Sequence, residues 1–370
     1  MVAKCFRAAL SYPRIGRGDD VHDTGPPDGF FLFFSQPHES PPLKMQNSVT
    51  NPAVPKASRV SIVIAARNAE RTLAKCLDSL MKLDYPDYEV IVVDDGSTDG
   101  TRDIACHYPG IVLLGTGGAG PAVARNTGVK IARGEFVAFL DSDCYVRPDW
   151  LSELLRGFVD DRVAGVGGCQ ESPHDEEPFG REVHRFFSCA GFLTNYMQRA
   201  VATREVTHNA SCNVMYRKAV YRVLGGFEEG FWPGEDLEFD HRVRTRGYRL
   251  FQVPDAIVYH YRADTIERFR NMMHRYGWAQ GMLARRHGLF RPIQWVPVLM
   301  LLLAVGGGAG FLVSPTWTVV LAVVVSWIVW EWLGRDPALL KLFVNALFFW
   351  NAGFMKGLTE RREGERRPNR

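Results

Sequence analysis

The 370-residue chain has no charged side chain between Trp295 and Trp330. That absence excludes an ordinary surface helix, which needs a polar face. About 20 apolar residues already cross the hydrocarbon core of a bilayer, so the run is too long for one crossing. Ser314-Pro315 supplies a turn near its middle. The expected arrangement is a hairpin of two membrane helices over 295–313 and 316–330. A buried hairpin in a soluble protein is the bland alternative, and the missing polar face argues against it. A third apolar run, 337–355, carries Lys341 as its single charge and either crosses or lies at the interface.

Cysteine pairs at metal-ligand spacing are also missing. The seven cysteines (5, 76, 106, 144, 169, 189 and 212) are scattered. This speaks against a zinc site or a disulfide framework and for a reduced compartment. Residues 1–57 lack any long apolar run. Their run 30–34 is too short for a signal peptide or anchor. They are rich in Pro, Gly and Asp and are expected to be a disordered extension, with Met45 as an alternative start.

The net charge is only +3, but the arginines cluster. Segment 266–292 holds Arg268, Arg270, Arg275, Arg285, Arg286 and Arg291 against Glu267. Phe269, Met272, Met273, Tyr276, Ala279 and Leu283 recur there at helical spacing, with Arg270, His274 and Arg285 on the other face. A basic amphipathic helix before a membrane span reads as lying on anionic headgroups. Packing on the preceding domain is the equally open alternative. Membrane lipids are thus expected partners and nucleic acid is not. The positive-inside rule sets the main domain on the cytoplasmic face of the cell membrane. Membrane or interfacial helices over 293–357 then lead to a basic tail over 358–370. The tail is cytoplasmic if the third run does not cross and external if it does.

The remaining segment, 58–265, alternates strand and helix patterns. β-branched 60–64 reads as a strand. Leu73, Leu77 and Leu80 mark a helix over 70–82. Strands follow at 88–93, 111–114 and 136–140, with helices at 100–107 and 122–132 between them. This predicts an α/β fold with a mostly parallel sheet flanked by helices. Ligands of such sheets bind at the strands' carboxyl ends. Residues 65–68, Asp94-Asp95 and Asp141-Ser142-Asp143 all fall there. Two carboxylates one residue apart at a strand end can share a hard divalent cation, which can hold a diphosphate. Glu235-Asp236 is a second acidic pair, suited to moving a proton and also to a helix N-terminus. Gly115-Thr116-Gly117-Gly118-Ala119-Gly120 matches a dinucleotide fingerprint. It follows the third strand rather than the first, so a flexible loop is the better reading.

Taken in order, Ser61 to Asn68, Val92 to Asp99, Ala124-Arg125-Asn126-Thr127-Gly128, Asp141-Ser142-Asp143, Gly225-Gly226-Phe227 and Gly234-Glu235-Asp236 resemble family 2 glycosyltransferases of GT-A fold. The resemblance covers about 59–265. It implies an inverting transferase using a nucleotide-diphospho-sugar and a divalent metal, Mn2+ or Mg2+. By it, Ala65 and Arg67 line the base pocket, Asp94 belongs to the same edge, and Asp95 and Arg125 reach the base. Asp141 contacts ribose or metal, Asp143 is the main metal ligand, and Asp236 is the catalytic base. Glu235 is expected to raise the proton affinity of Asp236. His260, after another strand-like run, completes the metal shell or is structural. The Q-x-x-R-W pattern of processive synthases is absent. The expected reaction is therefore transfer of a single sugar, with uridine diphosphate as the favoured carrier. The expected acceptor is a lipid-linked sugar, a polyprenyl phosphate or another membrane-associated glycan. A polysaccharide synthase component working with partners, and a non-catalytic module binding nucleotide sugars or glycans, stay open as alternatives.

Overall fold

The computed structural model describes residues 58–189 and 201–360. The expectations for 1–57 and for the tail beyond 360 lie outside the described residues. Four strands build the first half of the sheet: β1 (Val60–Ala66), β2 (Tyr88–Asp94), β3 (Ile111–Gly115) and β4 (Phe136–Asp141). They lie parallel in the order β3-β2-β1-β4. The helices between them are α1 (Leu73–Leu80), α2 (Thr101–Cys106) and α3 (Pro121–Ile131). Alternate residues of β1 feed opposite faces, as strand geometry requires. Ile62 and Ile64 pack with Leu73 and Leu77 of α1, whereas Val63 packs with Ala124 and Val129 of α3. A Cβ at Gly128 would collide with Val63, so this glycine lets α3 approach β1 closely.

The second half is mixed. Its strands are β5 (Cys144–Val146), β6 (Val163–Glu171), β7 (Arg204–Val206), β8 (Asn213–Arg217) and β9 (Arg249–His260). β8 runs antiparallel to β4 and β6, β6 runs parallel to β9, and β5 and β7 pair antiparallel with β9. The fold class is the expected α/β, with parallel pairing concentrated in β1–β4. Helices α4 (Trp150–Arg156), α5 (Pro178–Cys189), α6 (Lys218–Val223) and α7 (Glu235–Thr245) complete this part.

Beyond the sheet come α8 (Ile266–His287), a short 3-10 turn (Pro292–Trp295), α9 (Val296–Val313), α10 (Pro315–Trp332) and α11 (Pro337–Thr359). Among the described residues, three helices are long and apolar enough to cross a membrane: Pro292–Val313, Pro315–Trp332 and Pro337–Thr359. The expected hairpin is α9 and α10. α8 packs its apolar face on α11 and α5, where Phe269 and Met273 join Phe186, Trp350 and Phe354 in one cluster. The main cover of this helix is therefore α11.

Candidate active site

Register alone assembles the edge of the site. Ala65 lies beside Asp141, Ala66 beside Asp94, and Asp94 beside Gly115. Asp94 is buried and its carboxylate accepts the Ser97 amide at 3.1 Å. Asp95 is buried too, and its two oxygens accept the Thr116 hydroxyl at 2.7 Å and the Gly120 amide at 2.9 Å. Residues 116–120 form a loop, and Asp95 holds it at Thr116 and Gly120. Arg67 is exposed at the rim. Asn68 beside it adopts a left-handed φ of 51° and accepts the Thr98 amide at 2.9 Å.

A cluster of metal-type donors sits at the end of β4. One donor atom from each of Asp141, Asp143 and His260 lies within 4.8 Å of the others. The pairing of β5 with β9 sets Cys144 opposite His260 and so delivers the histidine to Asp143. His260 Nε2 is 3.4 Å from Asp143 Oδ1. Burial lowers the imidazole's pKa, but the Asp143 charge outweighs it and carries the group up to about 10. His260 Nδ1 faces Gln170 Oε1 at 3.2 Å, and that oxygen accepts Arg262 Nη2 at 2.7 Å. Two carboxylates and an imidazole are donors that can hold a divalent cation.

Arg125 ties this cluster to α7. Its Nη2 donates to Asp141 and its Nη1 to Glu235, each at 2.6 Å. Arg125, expected to reach the base, spends both terminal nitrogens on carboxylates here, and the residue is 4% exposed. Its neighbour Asn126 accepts the Phe227 amide at 3.0 Å and donates to the Phe227 carbonyl at 2.7 Å. The Ala124–Gly128 and Gly225–Phe227 motifs therefore form one structural unit.

α7 begins at Glu235, after Gly234 with φ of 101°. Burial pushes the Glu235 carboxyl up to about 7, with Arg125 opposing and Asp236 adding to the shift. The expected proton-affinity effect thus falls on Glu235. Asp236 accepts the amides of Ser211 at 3.1 Å and Leu237 at 2.8 Å. His208 Nε2 lies 3.9 Å from Asp236, while its Nδ1 meets the buried Asp240 at 2.8 Å. Gln170, Arg262, His208 and Asp240 were not foreseen. Only Asp240 left a sequence signal, one helical turn beyond Asp236.

A cavity of about 880 Å³ joins these groups, with Arg125, Asp141, Asp143, His260 and Asp236 in its wall. α8 and α11 contribute Arg275, Tyr276 and Trp350 to the same wall. The Arg275 guanidinium lies 5.3 Å from the Trp232 ring centre.

A parallel half-sheet, acids at its carboxyl edge and a shared cavity fit the GT-A class. Residues 61–225 match the family described as glycosyl transferase family 2. The chain carries a family 2 glycosyltransferase domain. It is similar to the pre-mycofactocin glycosyltransferase of Mycobacterium tuberculosis, at 32% identity over 71% of this chain and 56% of the relative. The chain thus spans about half the length of that relative. At 24% identity it resembles a Methanococcus voltae protein over 64% of this chain and 77% of the relative. That protein is named dolichyl N-acetyl-alpha-D-glucosaminyl phosphate 3-beta-D-2,3-diacetamido-2,3-dideoxy-beta-D-glucuronosyltransferase. The fold is shared with a mannosyltransferase from Pyrobaculum calidifontis, solved in complex with GDP-Man and Mn2+. Its TM-score is 0.62 at 21% identity, covering 83% of this chain and 88% of that one.

Proposed function

We propose that this chain is a membrane-anchored, inverting glycosyltransferase. It moves one sugar from a nucleotide-diphospho-sugar to a membrane-associated acceptor on the cytoplasmic face. The observation that carries this reading is the single cavity shared by Asp141, Asp143, His260 and Asp236. The base and ribose rest along Ala65, Arg67, Asp94 and Asp95. Asp141, Asp143 and His260 hold a divalent cation, Mn2+ or Mg2+, which when bound neutralises charge on the departing diphosphate. Arg125 orients Asp141 and keeps Glu235 in place. Asp236, fixed by two backbone amides, takes the proton of the attacking hydroxyl. A single displacement at the anomeric carbon inverts it.

Two observations favour a lipid-linked acceptor. Trp350, on one of the apolar helices, forms part of the cavity wall. A relative's printed name also contains a dolichyl phosphate. The test incubates membranes holding the full chain with a panel of nucleotide sugars, Mn2+ or Mg2+, and lipid-linked or soluble acceptors. One donor is expected to release nucleoside diphosphate, with one sugar added per lipid acceptor. Asp236→Asn should lower that rate by about 10²–10⁴-fold. Nucleotide binding without turnover of any donor would instead support a binding module, and long products a synthase.

A further inference from the structure

The scattered cysteines do not stay scattered in the fold. Cys144, Cys212 and His260 each place one donor atom within 4.8 Å of the others. They come from three separate stretches of chain. Cys144 on β5 is paired directly with His260 on β9, and side chains of directly opposed residues share a face. Cys212 lies one residue before β8, beneath the same face. Both thiols are buried and unpaired as disulfides. Both sit at the edge of the apolar core, each with one polar contact: Gln170 Nε2 donates to Cys212 Sγ at 3.0 Å, and the Cys144 thiol points at Asp143 Oδ1 at 3.7 Å. The cavity reaches Cys212, His260 and Asp143, so an ion has a path to them.

Two sulfurs and an imidazole nitrogen make a soft donor set. Zinc binds such ligands at about 2.3 Å (sulfur) and about 2.0 Å (nitrogen), which puts tetrahedral donors roughly 3.5–3.8 Å apart. The observed donors lie within 4.8 Å of one another, up to about 1 Å wider than that. Asp143 or a water supplies the fourth position. His260 belongs both to this set and to the oxygen-rich set with Asp141 and Asp143.

We propose that Cys144, Cys212 and His260 form a site for a soft divalent cation, zinc above all, which competes with the hard cation for His260. The two arrangements exclude each other, so micromolar zinc displaces manganese rather than joining it. Free zinc would then act as a brake on the site. The soft site rests on its own three ligands and stands apart from the identity of the sugar or acceptor.

The test uses the purified full chain in detergent, stripped of metal by chelation. Cobalt, a spectroscopic substitute for zinc, is expected to give a near-ultraviolet sulfur-to-metal band that one equivalent of zinc removes. Cys144→Ser and Cys212→Ser should each abolish the band and weaken zinc binding at least 10-fold against a chromophoric chelator. Cys106→Ser should leave both unchanged. In parallel, zinc should release bound manganese, followed by its paramagnetic resonance signal, from the wild type. In Cys144→Ser, manganese should still bind and should resist the same zinc concentration. Should Cys212→Ser fail to fold, Cys144→Ser alone decides. Absence of the band in folded wild type overturns the proposal, as does equal zinc competition in wild type and Cys144→Ser. A cobalt band in wild type that fails to bind manganese would support the soft site and count against the cation role of Asp141 and Asp143 instead.

Discussion

Arg125 is the residue on which the site turns. It is buried between two carboxylates, Asp141 and Glu235. Removing one partner of a buried ion pair costs about 3–5 kcal/mol, because the charge left behind is uncompensated. Arg125→Ala is therefore expected to lower stability by that order at pH 8, where Glu235 is ionised, read as a fall in melting temperature of the detergent-solubilised protein. An unchanged melting temperature would show that the carboxylates are not held by this arginine. Glu235 adds a pH dependence. Its carboxyl rises from 4.5 to about 7 on folding, so the folded protein holds a proton that the unfolded chain has released. The stability linked to this proton is fully present below 4.5 and lost as pH rises to about 7, on the order of 3 kcal/mol over the window. Glu235→Gln should flatten that slope in melts at pH 5 and pH 7.5. An unchanged slope would assign the effect to another group. At this scale, adjacency in sequence decided what could be read. Asp141 with Asp143, and Glu235 with Asp236, are neighbours whose pairing is visible without a structure. Gln170, His208 and Arg262 carry no local pattern, because their place depends on how β6, β8 and β9 pair. Seven cysteines without spacing looked inert for the same reason; the meeting of Cys144 with Cys212 is a product of strand order.

Strand and helix boundaries in 58–141 follow closely from the pattern of apolar residues, since β1, β2 and β4 are continuous buried runs, β3 is a half-buried one, and turn residues separate them. The weaker reading was α8, whose amphipathic period says that one face is covered but not by what. Its cover is α11, and glycines explain the fit. A Cβ on Gly277 or Gly281 would strike the backbone of Trp350 or Phe354. A Cβ on Gly353 or Gly357 would strike the backbone of His274 or Trp278. Two Gly-x-x-x-Gly steps thus interlock reciprocally, as close helix pairs require. The signal was present in the sequence, on both helices. Gly353→Val is expected to cost about 3 kcal/mol through overpacking and to expose α8 to limited proteolysis. Gly307→Ala in α9 is the control, because a Cβ there meets nothing within 4 Å. Equal behaviour of the two variants would mean that the interlock contributes nothing.

For the molecule as a whole, the interlock bears on how many helices cross the membrane. Length and composition alone admit three. Among the described residues, α9 and α10, each 18 residues long, are almost wholly exposed. Each spans about 27 Å as a helix, close to the roughly 30 Å hydrocarbon core. α11 differs, because its later half runs parallel to α8. Arg270 donates to Asn345 at 2.7 Å near one end, and Trp278 to Glu360 at 2.9 Å near the other. Carrying that half of α11 through the bilayer would take Arg270, Arg275 and Arg285 with it. Each arginine costs about 2.5–3.5 kcal/mol at the centre of a bilayer. α8 also forms the wall of the cavity, which fixes it on the side of the sheet domain. The expectation is two crossings, with the α8–α11 pair lying against the membrane face beside the site. In sealed vesicles of known orientation, an impermeant maleimide should label Thr359→Cys from the same side as the exposed native Cys106. It should label Ser314→Cys, in the turn between α9 and α10, from the opposite side. Labelling of Thr359→Cys together with Ser314→Cys would instead make α11 a third crossing and would separate it from α8 in the membrane-bound protein.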